Sequence, residues 1–185
     1  MTVCFTGHRP TKLGGYDENN ETAKWVKTQL AKAIAGAYTN GIRKFIAGGA
    51  LGVDTWAAEL VAQFRDNGHP DVSLTIAIPC TRQDSKWIDT AKKRYHEVLK
   101  KADQIFLVPY CNEHNEDRPW DYAQLAEYCR KDAYPYEPRF MIDRNTWMVD
   151  HSKAVIAVWD GSKSGGTCQC VDYATNQRKA ILHID

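Results

Sequence analysis

The sequence predicts an α/β fold, a three-layer sandwich on a mainly parallel sheet of about six strands. Three observations predict it. Short β-rich apolar runs alternate with longer segments of helical period, two of the runs stop at proline, and glycine-rich stretches follow three of them. Alternation of this kind is what strand–helix–strand crossovers over a parallel sheet produce.

The elements follow in chain order. Val3–Thr6 reads as the first strand, and a helix runs from about Glu21 to Tyr38 with Ala23, Val26, Leu30, Ala33, Ile34 and Ala37 on one face. Gly41 marks its end. Lys44–Ala47 is the second strand, and Val53, Ala57, Leu60, Val61 and Phe64 give the second helix until Asn67-Gly68. Leu74–Ile78 is the third strand and stops at Pro79, after which a helix is expected from Ser85 to Lys101. Gln104–Val108 is the fourth strand and stops at Pro109. Residues 110–138 break the rhythm with Pro119, Pro135 and Pro138 and read as an insertion or lid holding one short helix, Trp120–Cys129. A helix near Arg139–His151 leads to a fifth strand, Ala154–Trp159, and a helix near Gly166–Arg178 to a sixth, Ala180–Ile184.

No internal repeat or interdomain linker interrupts residues 1–185, so one domain is expected. Lysine plus arginine number 24 against 23 acidic residues, which supplies no broad field for a polyanion and argues against nucleic acid as partner. Cys4, Cys80, Cys111, Cys129, Cys168 and Cys170 follow no signal peptide, so reduced thiols in a cytoplasmic protein are expected. The Cys168-Gln-Cys170 spacing is too short for the usual zinc pair, so no metal or cofactor is assigned. No apolar run approaches the roughly 20 residues of a bilayer span, which argues against a membrane partner.

The chemistry collects in loops. Ligands of open parallel sheets bind beyond the carboxyl ends of the strands. Three loops fall there: Thr6-Gly7-His8-Arg9-Pro10, Gly48-Gly49-Ala50-Leu51-Gly52-Val53-Asp54, and Asp160-Gly161-Ser162-Lys163-Ser164-Gly165-Gly166-Thr167. Glycine lets backbone N–H groups approach an anion, and a helix N-terminus adds favourable partial charge. The loops therefore read as phosphate cradles. They match neither G-x-G-x-x-G nor a Gly-Lys-Ser/Thr P-loop, which argues against standard triphosphate hydrolysis.

Those loops resemble a known superfamily. Residues 47–58, Ala-Gly-Gly-Ala-Leu-Gly-Val-Asp-Thr-Trp-Ala-Ala, are similar to the glycine motif of the DNA-processing protein A family. Gly165-Gly166-Thr167 resembles the Gly-Gly-x-Gly-Thr loop of the lonely-guy phosphoribohydrolases. Together they resemble the SLOG superfamily of Rossmann-like nucleotide binders, and residues 5–10 and 144–150 resemble its small stand-alone bacterial and phage members. The resemblance implies a nucleotide or nucleotide-derived ligand and a homo-oligomer. It departs in one place: the phosphoribohydrolases carry a catalytic glutamate three residues after the loop threonine, where this chain has Cys170.

The ligand-binding candidates are Gly7, His8, Arg9, Gly48, Gly49, Gly52, Asp54, Arg144, Asn145, Gly161, Ser162, Gly165, Gly166 and Thr167. Arg9 and Arg144 offer planar forks for phosphate. Thr167 and Ser162 offer hydroxyls, or Thr167 caps the last helix. Asp54, Asp150 and His8 are candidate catalytic groups, with Asp54 equally a first-turn helix stabiliser. Asp150 lies about 600° of helical rotation from Arg144 and so points elsewhere. Glu113, Glu116 and Asp117 read as a solvated loop, and Trp120, Tyr122, Tyr128, Tyr134 and Tyr136 as packing or stacking residues. A sensor or sequestering protein is expected first, an N-glycosidic-bond hydrolase or transferase second, and a single-stranded DNA binder third.

Overall fold

The computed structural model describes all residues, Met1–Asp185. Its strands are β1 (Thr2–Gly7), β2 (Lys44–Ala47), β3 (Ser73–Ile78), β4 (Gln104–Leu107), β5 (Ala154–Val158) and β6 (Ala180–Ile184). Its helices are α1 (Glu21–Thr39), α2 (Val53–Asp66), α3 (Asp89–Lys101), α4 (Val108–His114), α5 (Tyr122–Cys129), α6 (Pro138–Asp150) and α7 (Gly166–Asn176). The six strands form one parallel sheet in the order β4-β3-β2-β1-β5-β6. This is a Rossmann-like α/β fold.

Period-two alternation divides the strands between two cores. Val3, Phe5, Phe45, Ala47, Leu74 and Ile76 pack with α1, α2 and α3 on one face. Cys4, Ile46, Ala77, Phe106, Val155 and Ala157 pack with α6 and α7 on the other. Strands apolar on both faces are what a sheet covered by helices on both sides requires. The apolar stripe of α1 supplies one cover, and the Asn20 side chain starts that helix by accepting from the N–H of Ala23 at 2.8 Å.

Several expectations are corrected. The helix expected from Ser85 begins at Asp89. Residues 79–88 are instead held by long-range bonds: the single Thr81 hydroxyl proton is shared between Asp132 (2.8 Å) and the Tyr134 carbonyl (2.9 Å), and Gln83 Nε2 donates to the Gly49 carbonyl (2.7 Å). Pro109 does not end a strand through Val108. It occupies the second position of α4, where its missing N–H is no loss.

Residues 110–138 carry two helices' worth of structure where one was expected, and Trp120 lies outside α5. Trp120 instead pairs with Ile105 through a reciprocal antiparallel bridge, at 2.8 and 3.0 Å, on the free edge of β4. The segment's aromatic residues bury Trp120 and Tyr134 against the first core. Asp117, read as solvated, accepts from Trp147 Nε1 and pairs with His151 Nε2, each at 2.8 Å, which ties the segment to α6. All six cysteines are unpaired. No helix is long and apolar enough to cross a membrane.

Candidate functional site

The chain runs outward from β1 through β2 and β3 to β4, then returns to place β5 on the other side of β1. The β1–β5 junction is therefore the topological switch point, where loops diverge and open a crevice at the carboxyl ends of the strands. A cavity of about 360 Å³ lies there. It is lined by Phe5–Gly7 at the end of β1 and His8, Arg9, Thr11 and Lys12 after it, Ala50 and Asp54 after β2, Met141, Arg144, Asn145 and Met148 on α6, and Ser164–Thr167 after β5.

Arg144 is the centre of this crevice. It is only 5% exposed, and its hydrogen bonds run through Nη1, to the Gly48 carbonyl at 2.5 Å and to Asp54 Oδ2 at 3.4 Å. Its Nε is buried without a partner. Gly48 is needed for this seat, since a Cβ there would overlap the Arg144 guanidinium. Asp54, 9% exposed, also accepts from the Ala50 N–H at 3.3 Å. Gly52 caps α2 at φ 90°, and a Cβ there would lie 2.6 Å from the His8 carbonyl.

The opposite wall is the N-terminus of α7. Its N-cap is Gly165 and no side chain caps it, so first-turn N–H groups remain for an anion. Thr167 therefore does not cap the helix. It is buried within the first turn beside Asn145, which donates to the Gly166 carbonyl at 3.2 Å.

His8, 9% exposed, sets its Nε2 2.8 Å from Asp160 Oδ1. Lys12 reaches Asp160 at 3.3 Å and the Ser162 hydroxyl at 3.1 Å. These contacts latch the β1 loop to the β5 loop. The Ser162 side chain and N–H, with His8 beside them, hold the Asp160 carboxyl well below the usual carboxylate range. Cys170, in the position of the missing glutamate, is 1% exposed; burial pushes its thiol up to about 11, against a hydrogen bond with Thr6 and the nearby charge of Arg144. It stays a protonated thiol at neutral pH and cannot act as a base.

The fold thus brings Gly7, His8, Arg9, Asp54, Arg144, Asn145, Gly165, Gly166 and Thr167 to one crevice. Gly48, Gly49 and Gly52 stand behind it as backbone support and Ser162 belongs to the latch, whereas Gly161 is exposed at φ 76° and lies outside the lining. Asp150 is elsewhere, accepting from the Tyr173 hydroxyl at 2.9 Å. Sequence reasoning missed Thr11, Lys12, Met141 and Ser164. The signal for Met141 was present: Met141, Arg144, Asn145 and Met148 have the i, i+3, i+4, i+7 spacing of one helix face.

Comparison with known proteins places this geometry among relatives. Residues 3–128 match the model of the YspA SLOG family. The chain is 35% identical to the SPbeta prophage-derived protein YoqJ of Bacillus subtilis, over 84% of this chain and 83% of that one. It is 24% identical to a UPF0398 protein of Halalkalibacterium halodurans, over 96% and 82%. Among solved structures it is similar to DNA processing protein A from Streptococcus pneumoniae, with a TM-score of 0.60 at 15% identity over all of this chain and 50% of the other. The Helicobacter pylori protein of the same name, which binds single-stranded DNA, gives 0.57 at 18% identity over 100% and 65%. The chain therefore spans about half to two thirds of those larger proteins and shares their fold. On the family match and the extent of the likeness to YoqJ, the chain belongs to the YspA SLOG family.

Proposed function

We propose that the crevice binds a nucleotide or nucleotide-derived metabolite through its phosphate, and that the protein works as a sensor or sequestering protein. One observation carries the reading: buried Arg144 leaves its Nε unpartnered opposite the uncapped N-terminus of α7. An unpaired buried donor costs about 1–3 kcal/mol. An oxyanion that takes the guanidinium side-on while accepting from the α7 N–H groups removes that cost. Arg9 and Lys12 add positive charge at the mouth. The unpaired thiols fit a reducing, cytoplasmic setting. By resemblance to the superfamily we also propose a homo-oligomer, which light scattering of the purified chain tests.

Isothermal titration with mono-, di- and cyclic nucleotides and ADP-ribose tests the reading. Binding by at least one, weakened about tenfold or more by Arg144→Lys, is expected, since lysine cannot reproduce the fork. Absence of binding to all at high micromolar concentration overturns it.

A second reading, N-glycosidic-bond cleavage or exchange, is favoured by Asp54, which lines the same crevice beside Arg144. Such a carboxylate could stabilise an oxocarbenium-like centre. Release of free base from a nucleotide panel, abolished by Asp54→Asn, would establish it. Single-stranded DNA, the ligand of the H. pylori protein, fits less well with a near-neutral chain and a compact crevice. A labelled oligonucleotide shifted at low salt would reverse that order.

A further inference from the structure

The crevice has a phosphate cradle but no stacking platform. Of its two aromatic walls Phe5 is fully buried and His8 is 9% exposed and engaged with Asp160, and the rest of its lining is polar or aliphatic. A second cavity of about 290 Å³ adjoins it and shares Arg9 and Met141. The residues 82–87 turn segment after β3 and Tyr136 supply its remaining walls. That segment leaves a strand carboxyl end, on the same sheet edge as the cradle.

Three features of this cavity suit a heteroaromatic ring. Trp87 is half-buried and braced edge-on by Tyr95 at 5.3 Å between centroids, while Tyr136 is 63% exposed. Two aromatic side chains beside a phosphate site offer faces on which a base can stack. Arg82 and Lys86 stand at the rim. Lys86 and Arg9 form no ion pair, and the only acid within reach of Arg82 is Asp132, at 3.8 Å, so the rim keeps positive charge for an anionic ligand. Gln83 completes the set. Its Nε2 is committed to the Gly49 carbonyl at 2.7 Å, which fixes the amide orientation, and its Oε1 is buried with no donor. A base N–H or amino group would satisfy that acceptor.

We infer that this second cavity is the base subsite of a nucleotide whose phosphate lies in the glycine cradle, with Arg9 and Met141 at the junction between the two ends. The inference rests on the phosphate reading above and assigns Trp87, Tyr136 and Gln83 as the residues that recognise the ring.

The test is isothermal titration of the full chain with ribose 5-phosphate, which fills only the cradle, and with AMP, GMP, CMP and UMP. At least one mononucleotide is expected to bind about tenfold or more tighter than ribose 5-phosphate, the range of a stacked base. Trp87→Ala and Tyr136→Ala each remove most of that advantage and leave ribose 5-phosphate affinity within about twofold. Tyr136 is exposed, so its variant keeps the test valid if Trp87→Ala fails to fold. Mononucleotides that bind no better than ribose 5-phosphate, or variants that weaken ribose 5-phosphate equally, overturn the base subsite and leave the phosphate cradle standing. If neither ribose 5-phosphate nor any mononucleotide binds, the phosphate reading fails and takes this one with it. Tighter binding of a twelve-residue thymidine oligonucleotide, lost in the same variants, would make the aromatic pair a strand-stacking platform and overturn the small-molecule assignment.

Discussion

At the scale of single residues, the crevice turns on Arg144 and the groups that seat it. Arg144→Ala leaves Asp54 buried with only the Ala50 N–H, and breaking such a pair costs about 3 kcal/mol. The double variant Arg144→Ala/Asp54→Asn recovers part of that loss, which urea denaturation of the four proteins in a cycle measures. Gly48→Ala pushes a methyl group into the guanidinium, and its expected outcome is a lower Tm together with loss of nucleotide binding in the same titration. Arg144, Asn145 and the Gly165–Thr167 turn were legible in the sequence because helix spacing and glycine runs are local signals. The unpartnered Nε was not legible, since Gly48 lies 96 positions from Arg144 in the chain. Nor was the burial of Cys170, whose neighbour Thr6 comes from the first strand.

At the scale of elements, α1, α2 and α3 are joined where the chain enters α1. Glu18 accepts from Trp56 Nε1 at 2.7 Å and from Lys27 at 2.5 Å, and pairs with Arg94, which also forks onto Glu59 at 2.6 Å through each of two nitrogens. Burial opposes ionisation of Glu18, but the bonds from Arg94, Lys27 and Trp56 outweigh it and bring its carboxyl from 4.5 down to about 2. A depressed carboxyl contributes stability above its ordinary value, and that contribution is lost as pH falls from about 4.5 through about 2. After allowance for partial exposure, Glu18→Gln costs about 1 kcal/mol at neutral pH and flattens this part of the stability profile, read by urea unfolding across the acid range. Trp120→Ala removes a buried ring from the first core while keeping the main-chain bridge to Ile105, an expected loss of about 3–5 kcal/mol by the same measurement. Neither arrangement could be read from periodicity. Ile88 suggests an earlier start for α3 because it is apolar, yet it is 70% exposed and precedes the helix. Pro109 reads equally well as a strand end or a helix start until its neighbours are known.

At the scale of the whole molecule, ligand binding and folding are linked. A nucleotide present at 100 times its Kd adds about 2.7 kcal/mol to the native state. For a chain of this length that corresponds to a rise in Tm of about 5–10 °C, measurable by thermal shift and cut to about half or less in Arg144→Lys at the same ligand concentration. The class of fold was legible because strands such as Phe45–Ala47 and Val155–Ala157 are short, apolar on both faces and separated by helical periods. The strand order was not legible. It is set by the long return from β4 to β5, and that order decides that the turn segment 82–87 and the tip of α6 flank one cavity.

That return has a consequence for the protein as it is made. The first half of the crevice, Thr6–Arg9 and Gly48–Asp54, leaves the ribosome early, but Arg144 and the α7 turn belong to the last quarter of the chain. A nascent chain that has released β1 to β4 still lacks Arg144 and the α7 turn, and with them one wall of the crevice. On the proposed reading, a ligand would recognise only a chain whose synthesis is nearly finished, the crevice being a seam closed by the final helix.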